Sequence, residues 1–188
     1  VNVTLPYKQK IISNIDEIVN DAEITGSVNT LLQDKNGSII GENTDVFGLQ
    51  AAYLKELDNG KNKRSLVIGA GGVSPSVILS LQKSGIKNIS IINRTKEKCL
   101  FLKKKFTYLK VLSWDNLQSE IGKYDLIVSN PPYIPSRDIR NLNEDIINYE
   151  PKIALDGGLD GLDLIKKVIY KSKNLLKENG LLAIEIGF

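Results

Sequence analysis

A single doubly wound parallel α/β sheet, fronted by an incomplete smaller lobe, is the fold that three features of this sequence predict. From residue 65 onward, short apolar runs alternate with stretches of helical spacing, the pattern of parallel strands joined by crossover helices. The first of those runs, 65–68, passes directly into Gly69-Ala70-Gly71-Gly72, a strand-to-helix turn. The 188 residues are 41% hydrophobic and 25% charged, which is the balance of a globular chain with enough apolar material for one ordinary core or two small ones.

Taken in order, the chain opens on a short strand and a turn at Pro6, then shows helical spacing over 11–22. Apolar stretches at 27–32 and 38–41 flank Asp34-Lys35-Asn36-Gly37, which predicts a hairpin. Helical spacing returns over 46–57, and the charged, Gly- and Asn-containing stretch 58–64 reads as a linker. Beyond it the sequence predicts strands beginning at Ser65, Ile89, Leu109, Asp125 and Leu181, with helices over 74–84, 96–106 and 162–176. Gly180 is the expected stop of the last helix, and 181–186 the final buried strand. Val1 falls inside a strand-like stretch and Phe188 follows one directly, so truncation is expected at both ends.

Charge and composition narrow the function classes. The net charge is +3, and the lysines are spread rather than gathered into a stripe interleaved with aromatics, so nucleic-acid binding is not indicated. Lys103 to Lys105 form the densest basic run; they read as cations complementing a helix C-terminus, with a phosphate-binding patch as the alternative. No apolar run approaches the ~20 residues of a membrane-spanning helix, and no signal peptide is visible. One cysteine, Cys99, and no histidine exclude an internal disulfide framework and the usual nitrogen and sulfur metal sites. A cytoplasmic, metal-free protein is the expectation. Any proton transfer must then use Lys, Asp, Glu or Tyr.

The glycine turn brings backbone N–H groups and a helix N-terminus toward an anionic pyrophosphate, although such glycines also serve plain packing. The second strand ends in Asn93-Arg94-Thr95, where a dinucleotide site meets the adenosine ribose. An acid there accepts from ribose hydroxyls in NAD or S-adenosylmethionine, whereas an arginine favours the 2′-phosphate of NADP. Arg94 therefore points to NADP, held by Gly69, Ala70, Gly71, Gly72, Asn93, Arg94 and Thr95; an ordinary loop arginine is the alternative.

Upstream of the turn, Asn2-Val3-Thr4-Leu5-Pro6-Tyr7-Lys8, Ser27-Val28-Asn29-Thr30 and Gly41-Glu42-Asn43-Thr44-Asp45 precede Gly-Ala-Gly-Gly and Asn-Arg-Thr in the order of the motifs of the shikimate dehydrogenase family, which residues 1–124 resemble. The resemblance implies a Rossmann-like sheet and reversible, NADP-dependent oxidation of a shikimate hydroxyl, with Lys8 and Asp45 as the catalytic pair and Thr4 and Asn29 as substrate contacts. The chemistry agrees, because hydride transfer releases a hydroxyl proton and the site needs a group to carry it. Read singly, Lys8 is also compatible with a surface lysine after a turn, and Asp45 with a cap for the helix opening at Val46. The family's amino-terminal elements, with a serine pair for the substrate carboxylate, and its carboxy-terminal portion, with a substrate-binding glutamine, have no counterpart in these residues.

Asp125-Leu126-Ile127-Val128-Ser129 runs into Asn130-Pro131-Pro132-Tyr133, a motif of methyltransferases acting on planar nitrogens; a proline turn after a strand is the alternative. With Tyr149-Glu150-Pro151, Ala154-Leu155-Asp156-Gly157-Gly158, Asp160-Gly161-Leu162 and Ile184-Glu185-Ile186-Gly187, the segment 125–188 resembles the release-factor glutamine methyltransferases. That resemblance implies a glutamine-binding loop at Asn130, Pro131, Pro132 and Tyr133, S-adenosylmethionine as methyl donor and a peptide-release factor as partner. It lacks the family's acidic glycine motif and its ribose-binding acid, since Arg94 stands in that place. Three parts are therefore expected: a partial substrate lobe over 1–57, a dinucleotide-binding segment over 62–124, and a methyltransferase-like segment over 125–188 completing the sheet. Three functions follow: a shikimate-dehydrogenase-type oxidoreductase, a glutamine methyltransferase, or an inactive nucleotide-binding chimera.

Overall fold

The structure, a computed structural model, describes residues 1–4, 7–53, 62–149 and 151–186. Residues 58–61 of the expected linker and 54–57 of the expected helix lie outside that set, as do Leu5, Pro6, Glu150 and Gly187 of the motifs quoted above.

The smaller lobe contains α1 (Tyr7–Lys10), a 3-10 turn (Ile11–Asn14), β1 (Glu17–Ile18), α2 (Asp21–Thr25), β2 (Thr30–Gln33), β3 (Ile39–Glu42) and α3 (Asp45–Tyr53). Its three strands lie in the order β1-β3-β2, with β1 parallel and β2 antiparallel to β3. The β2–β3 hairpin is the predicted one: Asp34 Oδ1 accepts from the amides of Asn36 and Ser38, each at 2.8 Å. The helix expected over 11–22 is not formed as one element. The Asp16 carboxylate accepts the Ile39 amide at 2.7 Å, the Val19 amide donates to Gly41 at 3.0 Å, and Asn20 turns the chain at φ 54°. Pairing with a distant strand has overridden the local helical spacing. The expected opening strand is likewise reduced to a bridge between Asn2 and Thr30.

The larger sheet is built from β4 (Arg64–Ile68), β5 (Asn88–Ile92), β6 (Lys110–Val111), β7 (Tyr124–Ser129) and β8 (Leu176–Ile184). Their order is β6-β5-β4-β7-β8 and every neighbouring pair is parallel, the doubly wound arrangement expected. Helices α4 (Ser74–Lys83) and α5 (Lys96–Lys105) cover one face, where Val77, Ile78, Leu81, Cys99 and Leu102 pack with Val67, Ile89, Ile91, Leu126 and Val128. On the other face Leu66, Ile92, Tyr124 and Ile127 meet Leu175 of α8 (Asp163–Leu175). Between β7 and α8 lie the short helices α6 (Glu144–Tyr149) and α7 (Lys152–Leu155). Segments from both sides of residue 124 thus share one sheet and its cores.

Gly180 does not end α8 as predicted. The helix stops at Leu175, and Gly180 lies inside β8. Tyr124 faces Leu176 and Leu126 faces Leu181, so two steps on β7 oppose five on β8. The surplus forms a bulge in which Asn179 takes φ 61°, which is how the chain turns from helix to strand with no loop between them.

A polar knot closes the N-terminal edge of the sheet. Glu120, at the end of the 3-10 turn Trp114–Glu120, is 4% exposed. Its carboxylate accepts from Lys110 Nζ at 2.9 Å, the Tyr124 hydroxyl at 2.8 Å and Arg64 Nη2 at 3.3 Å. Burial pushes this carboxyl upward, but the hydrogen bonds from Lys110 and Tyr124 and the charges of Lys110 and Lys123 outweigh it, holding Glu120 below its ordinary value. Next to it, Asp125 accepts from the Arg64 amide and from Lys177 Nζ, both at 2.8 Å. The starts of β4, β6, β7 and β8 are all tied at this edge. That leaves the opposite, C-terminal edge for chemistry.

Among the described residues, no helix is long and apolar enough to cross a membrane.

Candidate functional site

Three separate pieces of the smaller lobe converge on Asp45. Lys8, on α1, places Nζ 2.8 Å from Asp45 Oδ2. Asn29, just before β2, donates from Nδ2 to Asp45 Oδ1 at 2.7 Å and to Thr44 Oγ1 at 3.0 Å, while its Oδ1 accepts the Thr44 amide at 2.9 Å. The Lys8 carbonyl accepts the Val28 amide at 2.7 Å, which fixes α1 against the segment carrying Asn29. The side chains of Lys8 and Asp45 are 17% and 22% exposed: largely withdrawn from water, yet open to a ligand. Both oxygens of Asp45 are thus spoken for by side chains, and Asp45 is itself the first residue of α3, so the helix-cap alternative does not describe it.

The residue that holds Asp45 is Asn43, which the sequence reading quoted only as part of a motif. Its Oδ1 accepts the Asp45 amide at 3.0 Å. Its Nδ2 contacts Thr25 Oγ1, the Ser27 carbonyl and Ser76 Oγ at 3.0, 2.9 and 3.1 Å. Asn43 is 4% exposed and Ser76 belongs to α4, so this one amide links the smaller lobe to the first helix of the large sheet. The polar residue two places before the helix's first aspartate was the available signal. Thr4, by contrast, is exposed, and its carbonyl accepts the Tyr7 amide at 3.0 Å; among the described residues no hydrogen bond joins it to Lys8, Asn29 or Asp45.

At the C-terminal edge of the sheet, β4 and β7 lie side by side while the chain departs from them in opposite directions, the place where parallel sheets open a crevice. Ser129 Oγ donates to the Ile68 carbonyl at 3.0 Å and closes its floor. Gly69 takes φ +117°, a conformation that only glycine adopts readily, and among the described residues, chain neighbours aside, no atom lies within 4 Å of where a Cβ would stand on either Gly69 or Gly71. The Ala70 amide donates to Asn93 Oδ1 at 3.2 Å, and Asn93 Nδ2 donates to the Thr95 carbonyl at 2.9 Å, so the turn after β4 is pinned to the end of β5. Arg94 stands beside this clasp, exposed. Open space before the turn, the start of α4 and a free-standing guanidinium together fit a phosphorylated dinucleotide.

Asn130 extends from β7 at the same edge and is exposed, Pro131 is buried, and Pro132 and Tyr133 are half-buried. The loop that follows is clasped by 155–161: the Ile134 amide donates to Leu155 at 3.1 Å, Gly157 to Ile134 at 2.9 Å and Ser136 to Gly158 at 2.8 Å. Ser136 Oγ adds a 2.6 Å bond to Asp156. Gly161, at φ +78°, passes so close to the Tyr133 carbonyl that a Cβ has no room. Among the described residues, no hydrogen bond or ion pair joins Asn130 or Tyr133 to Lys8, Asn29 or Asp45.

A two-lobed α/β protein, with a parallel dinucleotide-type sheet and a polar Lys-Asp-Asn cluster on its smaller lobe, is the class that this fold and site define. The family model described as Shikimate / quinate 5-dehydrogenase matches residues 52–138, and that described as Shikimate dehydrogenase substrate binding domain matches 1–31. The shikimate dehydrogenase (NADP(+)) of Pelagibacter ubique is 38% identical over 156 residues, covering 83% of this chain and 55% of its own length. That of Aquifex aeolicus is 35% identical over 184 residues, covering 95% of this chain and 60% of its own. A crystal structure of the Aquifex aeolicus shikimate dehydrogenase superposes with a TM-score of 0.64 at 31% identity, over 92% of this chain and 70% of that one. The chain belongs to the shikimate dehydrogenase family. It spans about half the length of the curated relatives that it matches. The likeness also runs past the junction expected near residue 124, since the larger family match continues to 138.

Proposed function

We propose that this chain carries the substrate-activating and dinucleotide-binding parts of an NADP-dependent shikimate dehydrogenase, interconverting shikimate and 3-dehydroshikimate. The observation that carries the reading is the hydrogen-bonded cluster of Lys8, Asp45 and Asn29, standing in one molecule with the glycine turn and Arg94. Gly69 to Gly72 and the start of α4 receive the pyrophosphate, Asn93 and Thr95 shape the adenosine side, and Arg94 pairs with the 2′-phosphate. NADP, when bound, supplies the hydride acceptor and its reduced form the donor.

The chain's own residues handle the oxygen and the proton. Lys8 Nζ hydrogen-bonds the reacting hydroxyl; in its free-base form it takes the proton as the alcohol is oxidised, and as ammonium it returns that proton to the carbonyl oxygen in the reverse direction. Asp45 Oδ2 orients Lys8, and Asn29 fixes Asp45 by its other oxygen, so the amine is aimed before substrate arrives. Asn29, hydrogen-bonded to Asp45, is a further substrate contact, and Thr4 is one on the strength of the family resemblance alone.

Arg94 offers a direct check on the cofactor. A guanidinium pairs with a 2′-phosphate through charge-assisted bonds and offers a bare ribose hydroxyl nothing comparable. Arg94→Ala is expected to weaken NADPH by roughly 1.5 to 3 kcal/mol, about one to two decades in dissociation constant, and to leave NADH nearly unchanged. Calorimetric titration of both cofactors reads this, and equal effects on the two would withdraw the assignment.

A second reading makes residues 125–188 a glutamine methyltransferase segment, acting on a release factor through Asn130 to Tyr133 with S-adenosylmethionine. It draws on the motif and on the close clasp of 133–136 by 155–161. Neither relative named above is a methyltransferase, and Arg94 occupies the place of the acid that such a site uses for ribose.

A further inference from the structure

Helices α3 and α4 pack through apolar residues, with Val46 and Leu49 joining the core that holds Val77, Ile78 and Leu81. Apolar packing resists separation but has no preferred direction, whereas a hydrogen bond does. Asn43 and Ser76 supply such a bond across this seam, where they are 4% and 0% exposed. Ser76 Oγ sits against both atoms of the Asn43 amide, 3.1 Å from Nδ2 and 3.4 Å from Oδ1, the oxygen that also accepts the Asp45 amide at 3.0 Å. The two hydrogens on Nδ2 already have acceptors in the smaller lobe, Thr25 Oγ1 at 3.0 Å and the Ser27 carbonyl at 2.9 Å. The smaller lobe therefore holds Asn43 in place, and Ser76 adds the tie to α4. Ser76 is the third residue of that helix, within the turn that faces a pyrophosphate.

We propose that Ser76 is a positioning residue that couples dinucleotide binding at α4 to the aim of Asp45, so that cofactor and substrate tighten one another's binding. This deepens the dehydrogenase reading and rests on it. Ser76 is wholly buried and touches neither ligand; it acts through Asn43, whose Oδ1 holds the Asp45 amide, and Asp45 in turn orients Lys8. A dinucleotide that orders the first turn of α4 orders Ser76 with it, and the substrate then meets Asp45 and Lys8 already aimed. Linkage makes the effect reciprocal. One hydrogen bond sets its size, about three- to tenfold in either affinity.

The test has two arms on the intact chain. In the first, shikimate is titrated by calorimetry with and without saturating NADPH; both are the reduced partners, so the ternary complex forms without turnover. NADPH is expected to tighten shikimate by about three- to tenfold, and Ser76→Ala should bring that ratio close to one while binding NADPH alone as the native chain does. Asn43 keeps both of its smaller-lobe acceptors in Ser76→Ala, so the variant should fold. A merely structural serine predicts a lower melting temperature with an unchanged ratio; that result, or a native ratio of one, overturns the proposal. The second arm needs no substrate. The backbone amide NMR signal of Asp45 should shift when NADPH binds the native chain and shift less in Ser76→Ala, and equal shifts overturn the proposal. If the native chain binds no NADPH, the dehydrogenase reading and this proposal fall together. If it binds NADPH but no shikimate, the substrate assignment falls and the Asp45 signal alone decides whether Ser76 couples α4 to Asp45.

Discussion

Lys8→Met should abolish shikimate-dependent NADPH formation by about two to four orders of magnitude, the usual contribution of a positioned proton carrier. Fold and cofactor binding should survive. The Lys8–Asp45 pair is partly open to solvent, and such pairs stabilise by about 1 kcal/mol at most. Asp45 also keeps Asn29 as a partner at 2.7 Å when Lys8 is gone. A purely structural role for Lys8 predicts the reverse, a lower melting temperature and an intact rate. Lys8→Arg separates the two further: it keeps the charge beside Asp45, yet a guanidinium stays protonated near neutral pH and has no free-base form to take the hydroxyl proton, so turnover should be lost there as well. Rates measured with NADPH affinity and thermal unfolding for both variants check this.

The second large effect concerns stability and lies at the other end of the sheet. Glu120→Ala is expected to cost about 3 kcal/mol, because it strands Lys110, Arg64 and the buried Tyr124 hydroxyl after their shared acceptor is removed. For a chain of this size that corresponds to a melting temperature lower by roughly 6 to 12 °C. Lys110 is 52% exposed and can turn back to water, which keeps the estimate from running higher. The pH dependence has a definite sign. Glu120 and Asp125 are both held below their ordinary values of 4.5 and 3.8, so their stabilisation is present above those values and lost as pH falls through the folded ones. Glu120→Gln should therefore lose much of the steepness of acid unfolding, with its deficit largest near neutrality and shrinking in acid. A deficit that stays constant with pH would contradict this account of the knot.

How far the sequence alone reached depended on whether a feature was local. The β4 to β7 sheet was legible because each strand, glycine turn and amphipathic helix writes its own period, and the hairpin at Asp34 to Gly37 because an aspartate turn is decided within four residues. The cluster of Lys8, Asn29 and Asp45 was reached through ordered motifs, since nothing in the spacing of 8, 29 and 45 announces that these three segments meet. What escaped was long-range. Helical spacing over 11–22 gave way to a two-residue strand because its partner, β3, lies over twenty residues on. The bulge at Asn179 exists only because β8 must match β7 while leaving α8 directly. Asn43 owes its surroundings to an element far away in sequence, since its amide meets Ser76 of α4.

Calorimetric titration of NADPH against S-adenosylmethionine tests most directly whether this chain is a dehydrogenase scaffold selective for a 2′-phosphorylated dinucleotide. NADPH should bind with one-to-one stoichiometry, S-adenosylmethionine should give no saturable heat, and Arg94→Ala should remove most of the NADPH signal. Saturable binding of S-adenosylmethionine with none of NADPH would contradict the account and transfer the function to the loop at Asn130 to Tyr133.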